Sequence, residues 1–285
     1  MSIVVTGATG HLGRLAVEGL VAAGTDPSTV VAAGRNPERL ATLAGELGVR
    51  TALIDYADPA SLEAAFDGAD VLLFVSGSEV GQRVAQHQAV VDAAVTAGVG
   101  RVVYTSAPHA DTSALVLAPE HKATEEALRA SGLTWTFLRN NWYTENYAGT
   151  LQQARATGEV VTSTGDGRVA SATRADYAAG AVAAVLGAGH DNRVYELSGD
   201  VAWSFDEFAA AASEVLGTPV THRSVTADEQ LALLRSAGLD EGTAGFVVAL
   251  DQDTARGYLA DATDDLRTLI GRPTTPLVDA LRALL

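Results

Sequence analysis

Two periodicities alternate along the first half of the chain. Short apolar runs suit strands at Ile3–Val5, Val30–Ala33, Thr51–Ile54, Val71–Val75, Arg101–Tyr104 and Thr134–Leu138. Between them, apolar residues recur at helical spacing near 12–23, 37–47, 59–66, 80–97 and 119–131. The runs at 3–5, 71–75 and 101–104 are nearly continuous, as parallel strands covered on both faces require. Asn36-Pro37 and Asp58-Pro59 each place a capping side chain before a proline at the first helical position. Repeated βαβ units of this kind predict an α/β fold with a doubly wound parallel sheet, of Rossmann type.

After about residue 142 the rhythm changes. A loop-rich stretch with Gly158, Gly165 and Gly167 precedes an expected helix near 175–186 and a strand at Val194–Leu197. That strand is expected to rejoin the main sheet. The remainder reads as helical, near 205–216, 227–236, 243–256, 263–269 and 276–284, with Ser204-Phe205-Asp206-Glu207 as a capping box. The division expected is a dinucleotide-binding domain over 1–142, completed by the segment near 175–198. Residues 143–285 then form mainly a smaller, mostly helical lobe that covers a cleft.

The first strand leads directly into Thr6-Gly7-Ala8-Thr9-Gly10-His11-Leu12-Gly13 and then a helix. Gly7 permits the tight turn, Gly10 omits the Cβ that would block a pyrophosphate, and Gly13 allows close helix–strand packing. Free amides and the positive dipole end at the helix start suit phosphate. The expected cofactor contacts are therefore Gly7, Thr9, Gly10, His11, Leu12 and Gly13.

The second strand ends Ala33-Gly34-Arg35-Asn36-Pro37, without the acid that binds an adenosine 2′-hydroxyl. Arg35 suits a 2′-phosphate, so NADPH is favoured over NADH. Arg14 is a weaker candidate for the same charge. Later strand ends should line the same cleft: Asp55 toward adenine, Ser76, Gly77 and Ser78 along the cofactor, and Tyr104, Thr105 and Ser106 near the nicotinamide ribose.

Charge and composition narrow the partners. The 285 residues carry a net charge of −16, which disfavours nucleic acid and anionic membrane. Cysteine is absent, excluding disulfides and thiolate chemistry, and no histidine–carboxylate cluster has metal spacing. No apolar run approaches the roughly 20 residues of a membrane span. The first strand begins at residue 3, so a leader peptide is not expected and the chain reads as cytoplasmic. A homodimer is left open.

Together these segments resemble the atypical short-chain dehydrogenases of the NmrA-like group, and most closely the type 2 NAD(P)H:quinone oxidoreductases. The more specific matches are Ser78-Glu79-Val80-Gly81-Gln82-Arg83 and His109-Ala110-Asp111-Thr112-Ser113. Leu138-Arg139-Asn140, Trp142-Tyr143, Ser171-Ala172-Thr173-Arg174-Ala175-Asp176-Tyr177 and Tyr195-Glu196-Leu197 extend the likeness over nearly the whole chain. The resemblance implies hydride transfer from NADPH to a small quinone without flavin. Related branches reduce triphenylmethane dyes or only sense NADP.

The Tyr-x-x-x-Lys pair of typical short-chain dehydrogenases cannot be present. The only lysine is Lys122, four residues after Ala118, and His121 and Glu125 occupy the expected pair. A quinone tolerates this, because hydride addition yields an aromatic hydroquinone anion and the protein has chiefly to position the acceptor. The residues expected at the reacting end are His121, Asn140 and Tyr143, with Trp142 beside them. His121 could be a proton donor or, on its helix, a structural partner of Glu125. His109 is expected near the substrate. His87, Arg174 and Asp176 are expected to be structural.

Overall fold

A computed structural model of the chain describes every residue from Met1 to Leu285 except Ser78 and Val80. The elements run β1 (Ile3–Val5), α1 (His11–Ala22), β2 (Val30–Gly34), α2 (Pro37–Leu47), β3 (Arg50–Leu53), α3 (Pro59–Phe66), β4 (Val71–Phe74) and α4 (Arg83–Thr96). They continue with β5 (Arg101–Ser106), α5 (Ala118–Ala130), β6 (Thr134–Asn140), α6 (Ala148–Thr157), β7 (Glu159–Thr162), β8 (Arg168–Val169), α7 (Arg174–Leu186) and β9 (Arg193–Leu197). The last third contains β10 (Trp203–Ser204), α8 (Phe205–Leu216), β11 (Thr221–Ser224), α9 (Ala227–Ser236), α10 (Glu241–Ala255), α11 (Asp265–Ile270) and α12 (Leu277–Arg282).

Seven parallel strands form one sheet in the order β3-β2-β1-β4-β5-β6-β9. The order reverses at β1, and the crevice at such a switch point is where dinucleotides bind. The continuous apolar runs are explained by the two faces. Ile3 and Val5 enter the core under α1, α2 and α7, whereas Val4 enters the core under α3, α4 and α5. β4 repeats the division, with Val71 and Leu73 on the first face and Leu72 and Phe74 on the second.

The predicted caps form. The Asn36 side chain accepts from Arg39 N–H, that of Asp58 from Ala60 N–H, and Ser204 and Glu207 complete a reciprocal capping box. The segment after β6 holds more than the helices its sequence suggests. α6 and four short strands are present, β8 pairing antiparallel with β10 and β7 parallel with β11. A third core of Leu151, Val160, Trp203, Phe205, Phe208 and Leu281 holds these pieces together. Among the described residues, no helix is long and apolar enough to cross a membrane.

Candidate active site

One cleft of about 600 Å³ opens over the carboxyl ends of the strands. Gly7, Thr9, Gly10, His11, Leu12 and Gly13 form its floor at the switch point. Gly7 has φ +63°, a conformation that favours glycine. A Cβ on Gly13 would sit 2.9 Å from Ala8 N and closer still to the Gly7 carbonyl, so α1 can pack this tightly against the turn only with glycine there. Gly10 is the α1 N-cap and has no side-chain cap, which leaves the first-turn amides directed at the cleft. A Cβ on Gly10 meets only the Gly7 carbonyl oxygen, at 3.2 Å, so the space it keeps open is on the cleft side.

At one end of the cleft stand Arg35 and Arg39. Arg39 Nη1 donates to Thr9 O at 3.0 Å, tying the start of α2 to the glycine turn. Arg35 is largely exposed and paired with Glu79 across the mouth. The Glu79 carboxyl is held below its ordinary range by hydrogen bonds from Gln86 and Arg35. Arg39 is a candidate that sequence reasoning missed, although it stands one helical turn beyond Arg35. Arg14 lies outside the cleft, bound to Glu18 and Glu46.

The middle of the cleft corrects several expectations. Ser76 and Gly77 line it, and Ser78 falls outside the described residues. Asp55 does not line it. Its carboxylate accepts from Ala57 N–H in a turn on the exposed side, and its neighbours Ile54 and Tyr56 face the cleft instead. Of Tyr104, Thr105 and Ser106, only Ser106 lines it. Tyr104 is fully buried in the core below, and the Thr105 hydroxyl is buried where it accepts from Ser76 N–H. Alternation turns Thr105 to the opposite face from the other two, and Ser106 reaches the cleft where Tyr104 does not because it is the last residue of β5.

At the far end are His121, Asn140, Trp142, Tyr143, Leu115 and Leu117. Tyr143 packs edge-on against Tyr177, with the Arg174 guanidinium 4.8 Å from its ring centroid. Arg174 therefore lines the cleft as well as starting α7, a correction to its purely structural reading. Asn140 Nδ2 donates to the Tyr143 hydroxyl at 3.3 Å. Asn140 Oδ1 is buried without a partner among the described residues, which marks it as an acceptor awaiting a ligand donor.

His121 is buried and does not pair with Glu125. Its Nδ1 stands 2.8 Å from the Tyr104 hydroxyl. Burial and then the Arg83 charge push its pKa down to about 3, so the ring is neutral. Glu125 is occupied elsewhere, accepting from Arg139, Arg129 and Ser106. Lys122 sits on the exposed face of α5. His109 is a further correction. It lies away from the cleft in a separate small depression, 2.9 Å from Asp261, because its loop is anchored to Glu196.

The residues fit a dinucleotide. A glycine cradle, two arginines at the adenosine end and an unpartnered amide oxygen at the other lie along one cleft.

Known proteins agree with this geometry. Residues 7–186 match a family described as NAD(P)H-binding. The chain is 43% identical to quinone oxidoreductase 2 of Escherichia coli over 282 residues, covering 99% of this chain and 98% of that one. The crystal structure of the NADPH-dependent Escherichia coli quinone oxidoreductase with NADPH superposes with a TM-score of 0.94 over 99% of both chains. The Citrobacter sp. triphenylmethane reductase with NADP(H) is 38% identical and also gives 0.94, over the whole of both chains. With its glycine turn, switch-point cleft and full-length relatives in agreement, the chain belongs to the NAD(P)H-binding family of oxidoreductases.

Proposed function

We propose that this chain is an NADPH-preferring oxidoreductase that transfers hydride to a small quinone without flavin. One observation carries the reading. The cleft that begins at the glycine turn and the Arg35–Arg39 pair ends in an aromatic, apolar pocket at Trp142, Tyr143, Leu115 and Leu117. A flat, uncharged acceptor suits that end, and a phosphorylated dinucleotide suits the other. The likeness to the Escherichia coli quinone oxidoreductase supports the same assignment.

When bound, NADPH supplies the hydride. The chain's own residues do the rest. Gly7, Thr9, Gly10, His11, Leu12 and Gly13 would seat the pyrophosphate, and Arg35 with Arg39 the 2′-phosphate. Ser76, Gly77 and Ser106 would border the remainder of the cofactor. Tyr143 offers a face on which a quinone can stack, held by Tyr177 and Arg174. Asn140 Oδ1 can accept from an amide of the nicotinamide end, while Nδ2 orients the Tyr143 hydroxyl. Leu115, Leu117 and Trp142 keep water from the reacting face. Protonation of the product oxygen can come from solvent, so a lysine is not needed.

The lobe formed by residues 143–285, apart from α7 and β9, is the substrate cover in this reading. The setting is the cytoplasm, without a nucleic-acid or membrane partner, which the net charge of −16 supports. A homodimer is compatible with it. The second reading is reduction of triphenylmethane dyes or other conjugated acceptors, favoured by the likeness to the Citrobacter reductase.

The test is NADPH oxidation by purified protein, followed by absorbance, with and without a 1,4-quinone and with NADH in parallel. Quinone-dependent oxidation that favours NADPH without added flavin is expected. Turnover of dyes alone would select the second reading. Tight NADP binding with no turnover of any acceptor would make the chain an NADP sensor.

A further inference from the structure

Two buried histidines, His87 and His121, each lie close to the Tyr104 ring, and hydrogen-bond directions fix the tautomer of each. His87 Nε2 is 3.0 Å from the backbone N–H of Gly77. That N–H can only donate, so Nε2 carries no hydrogen. The ring is neutral, burial above all pushing its pKa down to about 3. Its hydrogen is therefore on Nδ1, which donates to Thr124 Oγ1 at 2.9 Å. Thr124 in turn donates to Glu120 O at 3.0 Å.

The same reasoning runs the other way at His121. The Tyr104 phenol is completely buried, and burial raises its pKa far above the ordinary value, so it keeps its hydrogen. That hydrogen goes to His121 Nδ1 at 2.8 Å, because the Thr124 hydroxyl, the other polar group close to the phenol, already donates to Glu120 O and accepts from His87 Nδ1. An unprotonated Nδ1 in a neutral ring leaves the hydrogen on Nε2. His121 lines the cleft, and its Nε2 has no partner among the described residues. The ring is further held by its place on α5, beside Glu125 and Thr124 in the buried layer.

We propose that Tyr104 is a positioning residue that locks His121 in the Nε2–H tautomer, and that His121 Nε2–H is the hydrogen-bond donor to the acceptor oxygen on which charge develops. This rests on the quinone-reductase reading and assigns a role within that site. A neutral imidazole can stabilise a developing oxyanion without giving up its proton. Here it has to work that way. Passing a proton through the pair would leave a phenolate on Tyr104 in the core. The balance is thus a hydride from the reduced cofactor to the quinone, two electrons with it, and one proton from water, while Tyr104 and His121 end as they began.

The pair also accounts for a tyrosine and a histidine where a Tyr-x-x-x-Lys pair is absent. The tyrosine lies one layer below the cleft and reaches the substrate only through the imidazole.

The experiment is long-range proton–nitrogen correlation NMR on full-length protein labelled at the ring nitrogens of histidine, with His87→Gln and His121→Asn variants for assignment. At neutral pH, His121 should show an unprotonated Nδ1 and a protonated Nε2, and His87 the opposite. In Tyr104→Phe the single-tautomer signature of His121 should be lost. The quinone kcat should then fall roughly tenfold, while KM for NADPH stays within about twofold. His121→Asn should lose more, roughly a hundredfold in kcat. An unprotonated Nε2 or a charged ring on His121 in the wild-type protein overturns the proposal, even if Tyr104→Phe fails to fold. So does a Tyr104→Phe protein with full quinone kcat. If the tautomers are as stated but no quinone is reduced, the functional reading fails and the hydrogen placement stands.

Discussion

Arg139 clasps Glu125 with two parallel hydrogen bonds, Nε to Oε1 at 2.9 Å and Nη2 to Oε2 at 2.7 Å. The carboxylate is completely buried and also accepts from Ser106 and Arg129. It occupies the place where a typical short-chain dehydrogenase keeps its lysine, and here that place joins α5 to β6. Removing one partner of a buried, hydrogen-bonded pair strands the other. Glu125→Ala should therefore cost about 3–5 kcal/mol of stability. Denaturant unfolding checks this, and a loss below about 1 kcal/mol would mean that Arg139 finds adequate partners in Asp111 and Glu196.

Cofactor choice should follow the two arginines. Arg35→Ala and Arg39→Ala should each raise the KM for NADPH by roughly tenfold or more, the loss of one charge-assisted contact, with little change for NADH. Equal effects on the two cofactors would remove the 2′-phosphate role. Glu79→Gln frees Arg35 from its carboxylate and should tighten NADPH binding. Calorimetric titration of each variant decides this.

The two glycines of the turn make separable predictions. Gly10→Ala adds a methyl group that the fold accommodates with a shift of a few tenths of an ångström, but it intrudes on the cofactor side. It should weaken NADPH binding with a near-normal melting temperature. Gly13→Ala drives a methyl group into the Gly7–Ala8 backbone and should lower stability by about 1–3 kcal/mol or more. The reverse pattern would show that the cofactor does not lie along Gly10.

Tyr143→Ala removes the ring that Tyr177 and Arg174 hold in place. It should lower kcat/KM for quinone by roughly tenfold while leaving NADPH binding within about twofold. A change confined to NADPH would move the acceptor pocket elsewhere in the cleft.

Acid should destabilise the protein through its two neutral histidines. His87 and His121 are each held near 3 in the folded state, by burial first, against 6.5 for the free side chain. The unfolded chain thus binds more protons between about pH 6.5 and 3. Stability is whole above that window and falls as pH drops through it, by about 1.4 kcal/mol per pH unit for each ring. Denaturant midpoints at pH 7.5 and 5 test this. Equal midpoints would mean that the rings ionise in place.

Much of this was legible in the sequence, for a physical reason. Strands covered on two faces leave apolar runs, and Asn36, Asp58 and Ser204 mark helix starts by chemistry that is local. The four short strands β7, β8, β10 and β11 leave no such mark, because they exist through pairing with distant partners. Within the site, taking Tyr104, Thr105 and Ser106 as one lining group overlooks that alternation turns Thr105 to the other face and that Tyr104, two residues before the strand end, stays in the core. Asp55 misleads similarly, its carboxylate being used by its own turn. Arg39 is marked only by its spacing from Arg35, and Arg174 only by contacts made after folding.

The return of β9 to the edge of the sheet has a consequence for biosynthesis. Its pairing with β6 brings together Arg139 and Glu196, 57 positions apart, and that loop must close before the strand gains its ladder. Such pairing is slow compared with the local βαβ units that precede it. While the chain is being made, β6 therefore stands as a bare edge until residues 193–197 have emerged. A product truncated near residue 142 would keep that edge permanently, open to pairing with a second chain. The segment that completes the sheet moves the edge to β9, where the Glu196 N–H donates to Asp265 and its carbonyl accepts from Thr263, so the new edge is partly occupied.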